Sequence, residues 1–242
     1  MKSKVNDLFS LKYYHASLGD EDLKLIKNSI NLDPKLKNSL TEGCWVEKCS
    51  TSFPSFLNQD DFKNYTGNTV IDVKNFTEII SKHFDEYVLA LTKRKQNVKL
   101  KLMDAWLNKY EKGDAQEPHN HCMVDSIRCF SGCIFLSFDK EKDARFRFHN
   151  HSMIDYNEPD DAFALLAEGV TCPDITQGDI ILFNSSSWHS VEKQKESTNR
   201  TTLSFNFEIE GTQHSLDSRT LAKHEERELT DEERAVLLGK IT

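Results

Sequence analysis

"RTTLSFNFEI", residues 200–209, is the stretch whose pattern decides the fold. Every second side chain is apolar: Leu203, Phe205, Phe207 and Ile209. The residues between them are polar: Arg200, Thr202, Ser204, Asn206 and Glu208. A period of two places successive side chains on opposite faces of a strand, so this segment predicts a β-strand with one apolar and one polar face.

Other segments in the middle of the chain have the same character. They are "NVKLKLM" (97–103), "CFSGCIFLSF" (129–138), "RFRF" (145–148) and "DIILF" (179–183). These short runs are rich in Phe, Ile and Leu, and Gly, Pro, Asn and Asp separate them. Because strands do not alternate with helices here, the pattern indicates a β-sandwich or jelly roll rather than a parallel sheet.

The two ends of the chain have helical patterns. Residues 20–30 and 73–92 carry apolar side chains at helical spacing, and Thr230-Asp-Glu-Glu233 has the form of a capping box before RAVLLGK. We therefore predict a single domain over 1–242, with flanking helices on a mainly β core. Its parts are a helical region at 1–95 that packs on the barrel, a jelly-roll core at 96–210 and a helical extension at 211–242.

Composition limits the possible functions and partners. The chain of 242 residues has a net charge of −8, so its bulk charge does not indicate nucleic-acid binding. No segment resembles a signal peptide or a membrane span, and the six cysteines form no disulfide framework. We expect an intracellular, cytoplasmic protein without membrane contact. The charged C-terminal helix suits a homodimer contact or partner docking, although such a helix face is more often simply solvated.

Two histidines, His119 and His121, follow Gly113-Asp114 and Pro118. In an extended strand, residues two apart point to the same side, so both imidazoles can face one ion. A polar strand edge is the alternative interpretation. Asp125 could add a carboxylate, or it could cap a turn. A second pair, His149 and His151, precedes an acidic stretch and is predicted to lie in a solvated loop.

His189 has a different setting. It follows a Gly-Asp turn, an apolar strand and a loop of small residues in "QGDIILFNSSSWHSVEKQ", residues 177–194. A histidine that emerges from a buried strand can complete a site begun by His119 and His121. Three such ligands leave coordination positions open, which a catalytic iron needs. We therefore predict that His119, His121 and His189 bind the metal. A serine-hydrolase interpretation of Ser187, His189 and Asp125 lacks the G-x-S-x-G elbow.

Arg200 begins the strand with the polar face. If that face lines the pocket, Arg200, Thr202 and Ser204 offer a guanidinium fork and hydroxyls suited to a dicarboxylate. If the face is turned to water, the segment is an ordinary strand with a polar side. Because the strand follows the candidate ligand His189, we favour the pocket.

These segments together resemble the 2-oxoglutarate/Fe(II) oxygenases, in a branch related to prolyl hydroxylases. The matching stretches are "LFSLKYYHASL" (8–18), "WLNKYEKGD" (106–114), His119-Asn-His121, "FSGCIFL", "GDIILFNSSSWHSV" and "RTTLSFNF". The resemblance implies a double-stranded β-helix with Fe(II) at one end and 2-oxoglutarate beside it. It also implies hydroxylation of a substrate C–H bond with release of succinate and CO2.

The wider superfamily carries His-x-Asp or His-x-Glu, whereas this chain has His121 at the carboxylate position. Asp125 or a solvent anion could compensate for the missing charge. Within the implied site, Arg200 and Thr202 would hold the cosubstrate. Tyr110 could hydrogen-bond it as well, or could be a packing aromatic.

Two alternatives stay open. Gly113, His119-x-His121, Asp125 and Gly132 also resemble the first cupin motif, which predicts a metal-binding jelly roll that does not use 2-oxoglutarate. A non-catalytic binding module is the other. The prime substrate is not identified by the sequence, and a protein side chain or a small metabolite is the default expectation.

Overall fold

The structure is a computed structural model that describes residues 12–30, 41–42, 49–53, 71–93, 98–121, 129–150, 169–196 and 198–210. The chain divides into two compact units, Met1–Ile209 and Glu210–Thr242. All of the second unit beyond Glu210, including the predicted capping box, lies outside the described residues. The predicted boundaries at 95 and 210 therefore remain a prediction.

The described elements are two helices and eleven strands. The helices are α1 (Asp20–Ser29) and α2 (Val73–Thr92). The strands are β1 (Tyr13–Ser17), β2 (Thr41–Glu42), β3 (Ser50–Thr51), β4 (Lys99–Lys109), β5 (Gln116–His119), β6 (Cys129–Ser137), β7 (Phe146–His149), β8 (Val170–Thr171), β9 (Asp179–Asn184), β10 (His189–Val191) and β11 (Thr201–Glu210).

The strands form two sheets. The larger sheet has the order β1-β9-β6-β11-β4-β3-β2, and the smaller has the order β5-β10-β7-β8. Antiparallel pairing joins β1 to β9, β9 to β6, and β6 to β11, as well as β10 to both β5 and β7. This arrangement is the double-stranded β-helix that the sequence predicted.

Period-two alternation gives the larger sheet two faces, each with its own cluster of apolar side chains. Ile134, Leu182 and Phe205 lie on the outer face and pack with Phe76 and Phe84 of α2. Asp72 begins α2 by accepting hydrogen bonds from the backbone N–H groups of the residues two and three positions later. The outer core therefore lies between this sheet and the helical layer.

The inner face packs against the smaller sheet. Phe135 and Phe183 of the larger sheet contact Phe146 and Val191 of the smaller one, and Tyr110 joins the same cluster. This second core contains more polar neighbours than the first. The predicted functional residues lie on this inner side.

Gly132 is required where β6 passes beneath an aromatic ring. A Cβ at this position would lie 2.3 Å from an edge carbon of Phe205 and 2.8 Å from a methyl of Leu182. Real Cβ atoms do not approach neighbours this closely, so any side chain here would displace the outer core. The glycine in "FSGCIFL" is thus explained by packing.

The structure differs from the sequence prediction in the first third of the chain. Helices α1 and α2 are where the pattern placed them, but Tyr13–Ser17 forms an edge strand paired with β9, and β2 and β3 extend the opposite edge. The segment YYHAS has no apolar alternation, and its side chains alternate only between exposed and half-buried. Its strand conformation comes from pairing with β9. Of the helices described, neither has the combination of length and apolar character needed to span a bilayer.

Candidate active site

The three predicted histidines come together at one end of the inner cavity. His119 ends β5 and lies directly opposite His189 of β10. Their ring centroids are 4.3 Å apart, and the His121 centroid is 5.4 Å from His119 and 4.8 Å from His189. One ligand nitrogen from each of the three lies within 4.8 Å of the others. Three imidazoles therefore converge on a space of the size that one ion needs.

Hydrogen bonds fix the orientation of each ring. Nδ1 of His119 lies 2.7 Å from the carbonyl oxygen of Glu117, and Nδ1 of His189 lies 2.9 Å from that of Ser187. A carbonyl oxygen can only accept, so both Nδ1 atoms carry the proton. The basic lone pair is then on Nε2, the nitrogen used by metal-binding histidines whose Nδ1–H is held in this way.

His121 is held by side chains instead. Its Nδ1 lies 2.9 Å from Oδ1 of Asn206 and 3.0 Å from Oγ of Ser131, which itself donates to Asn206 Oδ1 at 2.7 Å. Because the Ser131 proton is used on the amide oxygen, His121 donates its own Nδ1–H to Asn206. Its backbone N–H donates to the carbonyl of Ser185, which ties His121 to the loop after β9.

Burial keeps these imidazoles neutral at neutral pH. Desolvation lowers the pKa of His119, lowers that of His121 to about 3, and lowers that of His189 well below 6.5. The neighbouring imidazoles add to the shift for His121 and His189. Only a neutral imidazole can bind a metal, so the donor set fits a divalent ion without proton loss. Asp125 lies outside the described residues.

The opposite end of the cavity is built around Arg200, which is completely buried. Its guanidinium carbon lies 4.0 Å from the centre of the Tyr110 ring, and its Nε donates to the carbonyl of Ala144 at 3.2 Å. Among the described residues, neither terminal guanidinium nitrogen has a hydrogen-bond acceptor. Apart from an interaction with the Tyr110 hydroxyl, the two terminal nitrogens are therefore charged donors without a buried acceptor in the described part of the chain.

Thr202 and Tyr110 adjoin this guanidinium. The hydroxyl of Thr202 has a weak contact with the Cys133 thiol and no oxygen or nitrogen partner within the described part of the chain. The hydroxyl of Tyr110 donates to Oε1 of Gln116 at 2.6 Å, and desolvation raises the pKa of Tyr110 while the charge of Arg200 opposes the rise. At this end of the cavity, the protein therefore provides more hydrogen-bond donors than acceptors.

Both groups of residues line one cavity. Its wall includes the three histidines and the face of β11 that carries Arg200, Thr202 and Ser204. The polar face of that strand is thus turned to the pocket and not to water, as the sequence analysis favoured. A buried donor without an acceptor costs about 1–3 kcal/mol, so the unpaired guanidinium fits a site completed by a carboxylate.

Several lining residues were not predicted from the sequence. Trp106 and Asn108 lie on the inner face of β4, and the indole Nε1 of Trp106 and Oδ1 of Asn108 have no partner among the described residues. Asn206 and Ser131, which hold His121, were not singled out either. Asn206 lies on the polar face of "SFNF", and that position was the available signal.

The other described histidines are not among the three converging rings, although His149 lies near enough to lower the pKa of His119 and His189. His149 ends β7 instead of lying in a loop, and its Nε2 is 2.8 Å from Oγ of Ser190. His15 pairs with Asp179, and His83 with the hydroxyl of Tyr14. His151 is not among the described residues.

Residues 104–206 match the family model described as "Putative 2OG-Fe(II) oxygenase". The matched segment contains the histidine cluster, Arg200 and Thr202. This similarity to the 2-oxoglutarate/Fe(II) oxygenase family covers less than half of the chain. No curated protein matches the sequence at a significant level.

This chain is similar to several solved structures at low sequence identity. A Pseudomonas putida prolyl-4-hydroxylase superposes with a TM-score of 0.51 at 9% identity, covering 84% of this chain and 95% of that one. A 2OG-Fe(II) oxygenase family protein from Burkholderia pseudomallei gives 0.40 at 12% identity, over 58% of this chain and 60% of its own length. HygX from Streptomyces hygroscopicus, solved with nickel, 2-oxoglutarate and hygromycin B, gives 0.45 at 12% identity and covers 82% of this chain and 83% of that one.

Proposed function

We propose that this protein is an Fe(II)- and 2-oxoglutarate-dependent oxygenase that hydroxylates a C–H bond of its substrate. The observation that carries the proposal is the content of one cavity: three neutral imidazoles at one end and an unpaired guanidinium at the other. The first group suits a divalent metal, and the second suits a carboxylate. Oxidative decarboxylation of 2-oxoglutarate to succinate and CO2, coupled to substrate hydroxylation, is the chemistry that the iron supplies when it is bound.

In this proposal, Nε2 of His119, His121 and His189 holds the metal. The Nδ1–H hydrogen bonds to Glu117, Asn206 and Ser187 prevent the rings from turning away. Because the proton on each ring is already on Nδ1, metal binding requires no change of tautomer. The protein has therefore oriented the ligands before the ion arrives.

Arg200 and Thr202 hold the distal carboxylate of 2-oxoglutarate. The planar guanidinium can give two parallel charge-assisted hydrogen bonds, and the Thr202 hydroxyl can give a third. Nε of Arg200 is occupied by the carbonyl of Ala144, and its plane lies over Tyr110, so the fork has one fixed direction. We assign the Tyr110 hydroxyl to the same carboxylate or to the Gln116 side chain that it already contacts.

Aromatic side chains exclude water from the reacting centre. Phe146 stacks on His189 with ring centroids 5.3 Å apart, Phe183 lies 4.9 Å from the same ring, and Trp106 lies 5.4 Å from His121. Apolar walls of this kind strengthen the electrostatic interactions inside the cavity and protect reactive groups from side reactions. These aromatic side chains shape the surroundings of the site and take no part in the reaction itself.

We propose a protein side chain or a small metabolite as the substrate, because the net charge of −8 offers no general attraction for nucleic acid. An intracellular location is proposed on the thiols of Cys133 and Cys172, which form no disulfide. A homodimer through the C-terminal region stays a prediction, since residues 211–242 lie outside the described part of the chain.

The test is a succinate-release assay on protein purified without added metal and then loaded anaerobically with Fe(II). We expect succinate formation that requires both iron and 2-oxoglutarate, together with a one-oxygen mass gain on the true substrate in a screen of candidates. If metal binds in stoichiometric amount but 2-oxoglutarate does not, the cupin interpretation replaces the oxygenase. If neither binds, the protein is a binding module.

A further inference from the structure

The hydrogen-bond chain behind His121 ends on a buried carboxylate. His121 donates Nδ1–H to Oδ1 of Asn206 at 2.9 Å, and Asn206 in turn hydrogen-bonds the side chain of Asp104 through its own side chain and its backbone N–H. Asp104 lies on β4 and Asn206 on β11, which are neighbours in the larger sheet. The order is therefore imidazole, amide, carboxylate.

The orientation of the Asn206 amide follows from its partners. Oδ1 accepts from both His121 and Ser131, so the amide NH2 group faces Asp104. The opposite orientation would set the amide carbonyl oxygen against the Asp104 carboxylate, whose pKa the Asn206 hydrogen bonds lower. With the amide NH2 group facing Asp104, every member of the hydrogen-bond chain has a partner. This orientation transmits the polarity of the carboxylate to the imidazole.

Asp104 is an unexpected residue for its position. It is 5% exposed, it lies in a strand of apolar neighbours, and its Oδ1 has no hydrogen-bond partner among the described residues. A buried carboxylate of this kind is costly unless it is compensated. Burial raises its pKa to about 6, despite the hydrogen bonds from Asn206 that lower it.

The hydrogen bonds behind the three imidazoles lead to different kinds of group. His119 and His189 donate Nδ1–H to backbone carbonyls, which are neutral, and the three rings are themselves neutral. These ligands themselves bring no negative charge to a divalent ion, although the side chain of Glu117 acts electrostatically on His119. His121 differs from the other two because its hydrogen-bond chain leads to an ionisable group.

We propose that Asp104 is a positioning residue for the metal site, acting through Asn206 to fix His121 and to place a negative charge within two hydrogen bonds of that ligand. The inference rests on the proposed metal-binding function of the histidine cluster. Carboxylates that polarise a metal-bound imidazole raise its basicity, and their removal typically weakens metal binding about 10- to 100-fold. Polarisation passes along hydrogen-bonded chains but decreases with each link, so we expect the lower end of that range.

The experiment compares four proteins by anaerobic Co(II) titration, followed through the visible absorption of the bound ion. They are the wild type, Asp104→Asn, the exchange variant Asp104→Asn/Asn206→Asp, and the control Asp143→Asn. Asp143 is a matched control because it is 6% exposed but accepts hydrogen bonds from Gln194 and Thr198, not from the chain behind His121. The exchange variant keeps the same atoms and moves the carboxylate one hydrogen bond nearer to His121.

We expect Asp104→Asn to weaken Co(II) binding about tenfold, the control to match the wild type, and the exchange variant to recover wild-type affinity or exceed it. The Fe(III)/Fe(II) potential should shift to more positive values in Asp104→Asn, since less negative charge then stabilises the ferric state. In the exchange variant, the potential should return to the wild-type value. A residue with a merely structural role would not produce that reversal.

Each result has one meaning. A wild type that binds no stoichiometric Co(II) contradicts the proposed function itself. A wild type that binds, with Asp104→Asn of equal affinity, overturns the role of Asp104, and so does a loss in Asp104→Asn that the exchange fails to reverse. If Asp104→Asn does not fold, the exchange variant is compared directly with the wild type, and weaker binding by it overturns the inference.

Discussion

The two ends of the cavity differ in how far the protein satisfies its own polar groups. At the histidine end, the Nδ1 atoms of His119, His121 and His189 all have partners at 2.7–3.0 Å. At the arginine end, the two terminal nitrogens of Arg200 and the hydroxyl of Thr202 lack oxygen or nitrogen partners among the described residues. One end is organised in advance, and the other is incomplete until a ligand enters.

This difference follows from the chemistry of the two ligands. A metal ion imposes bond directions, so its ligands must be oriented before it binds. A carboxylate brings its own acceptors, so donors for it must be left unsatisfied in its absence. A protein residue that occupied the Arg200 fork would compete with the cosubstrate. The comparison predicts that substitutions at the two ends will have separable effects on metal binding, cosubstrate binding and stability.

The largest effect is expected at the organised end. His189→Ala removes one of three ligands, and a direct ligand matters more than the outer hydrogen bonds whose loss costs about 10- to 100-fold. We expect metal affinity to fall at least about 100-fold and succinate formation to stop. The measurement is Co(II) or Fe(II) titration with His83→Ala as control, because His83 contacts Tyr14 and not the cluster. Full metal stoichiometry and affinity in His189→Ala would contradict the ligand assignment.

The next effect separates the two ends. Arg200→Ala should weaken 2-oxoglutarate binding to the metal-loaded protein at least about tenfold, since each charge-assisted hydrogen bond is worth roughly 1.5–3 kcal/mol and 1.4 kcal/mol is one decade. Metal affinity should not change, because a guanidinium does not bind iron. The measurement is anaerobic titration of 2-oxoglutarate, and Arg200→Lys should recover only part of the loss because it lacks the planar fork.

Arg200→Met tests the cost of the buried guanidinium in the absence of any ligand. Replacing an unpaired buried charge with an apolar side chain of similar length is often neutral or stabilising. The metal-free variant should therefore unfold in denaturant at the wild-type midpoint or above it. A clear loss of stability would mean that the contacts of the guanidinium with Ala144 and Tyr110 outweigh the cost of burying it without a carboxylate.

Asp104 gives a pH-dependent effect of intermediate size. Its pKa is about 6 in the folded protein against an ordinary value of 3.8, so the folded state binds more protons than the unfolded state between these values. The free energy of unfolding contributed by this group is therefore highest below pH 4 and declines as pH rises through about 6. The free energy of unfolding of metal-free Asp104→Asn should not show this decline. Relative to the wild type, it should therefore rise by roughly 2–3 kcal/mol between pH 4 and 7.

Denaturant unfolding of both proteins at several pH values measures this difference, and titration of the histidines cancels in the comparison. If Asp104 serves the metal site, saturating metal should reduce the difference in free energy of unfolding between the two proteins, because a nearby cation stabilises the ionised carboxylate. A stability difference that does not change with pH would show that burial does not raise the pKa of the Asp104 carboxyl group.

Tyr110 should give the smallest effect. Tyr110→Phe keeps the ring beneath Arg200 and removes the hydroxyl that donates to Gln116. One net hydrogen bond is worth roughly 0.5–1.5 kcal/mol, so 2-oxoglutarate binding should weaken about two- to tenfold if the hydroxyl reaches the cosubstrate. An unchanged affinity would assign Tyr110 to packing alone, and Gln116→Leu tests whether the Tyr110–Gln116 hydrogen bond matters separately.

The sequence itself determined the strand core, because alternation is a local property. The pattern of "RTTLSFNFEI" already separated Leu203 and Phe205 from Arg200 and Thr202, and the structure places these two sets on the outer core and the cavity wall. The spacing of His119 and His121 likewise allowed both rings to face one ion. Strand β1 was missed since YYHAS has no such alternation, and its conformation comes from β9, more than 160 positions away.

Only the tertiary structure decided which side chains stand behind the ligands. His121 relies on Asn206, 85 positions later, and Asn206 leads to Asp104 on the neighbouring strand. A carboxylate within "LKLMDAWL" is a sequence-level anomaly, because a charge in a buried strand needs a partner, but the identity of that partner depends on strand order. Sequence periodicity specifies the face on which a residue lies. The neighbours that it meets there are specified by the pairing of strands that are distant in the chain, and the hydrogen bonds at both ends of the cavity depend on that pairing.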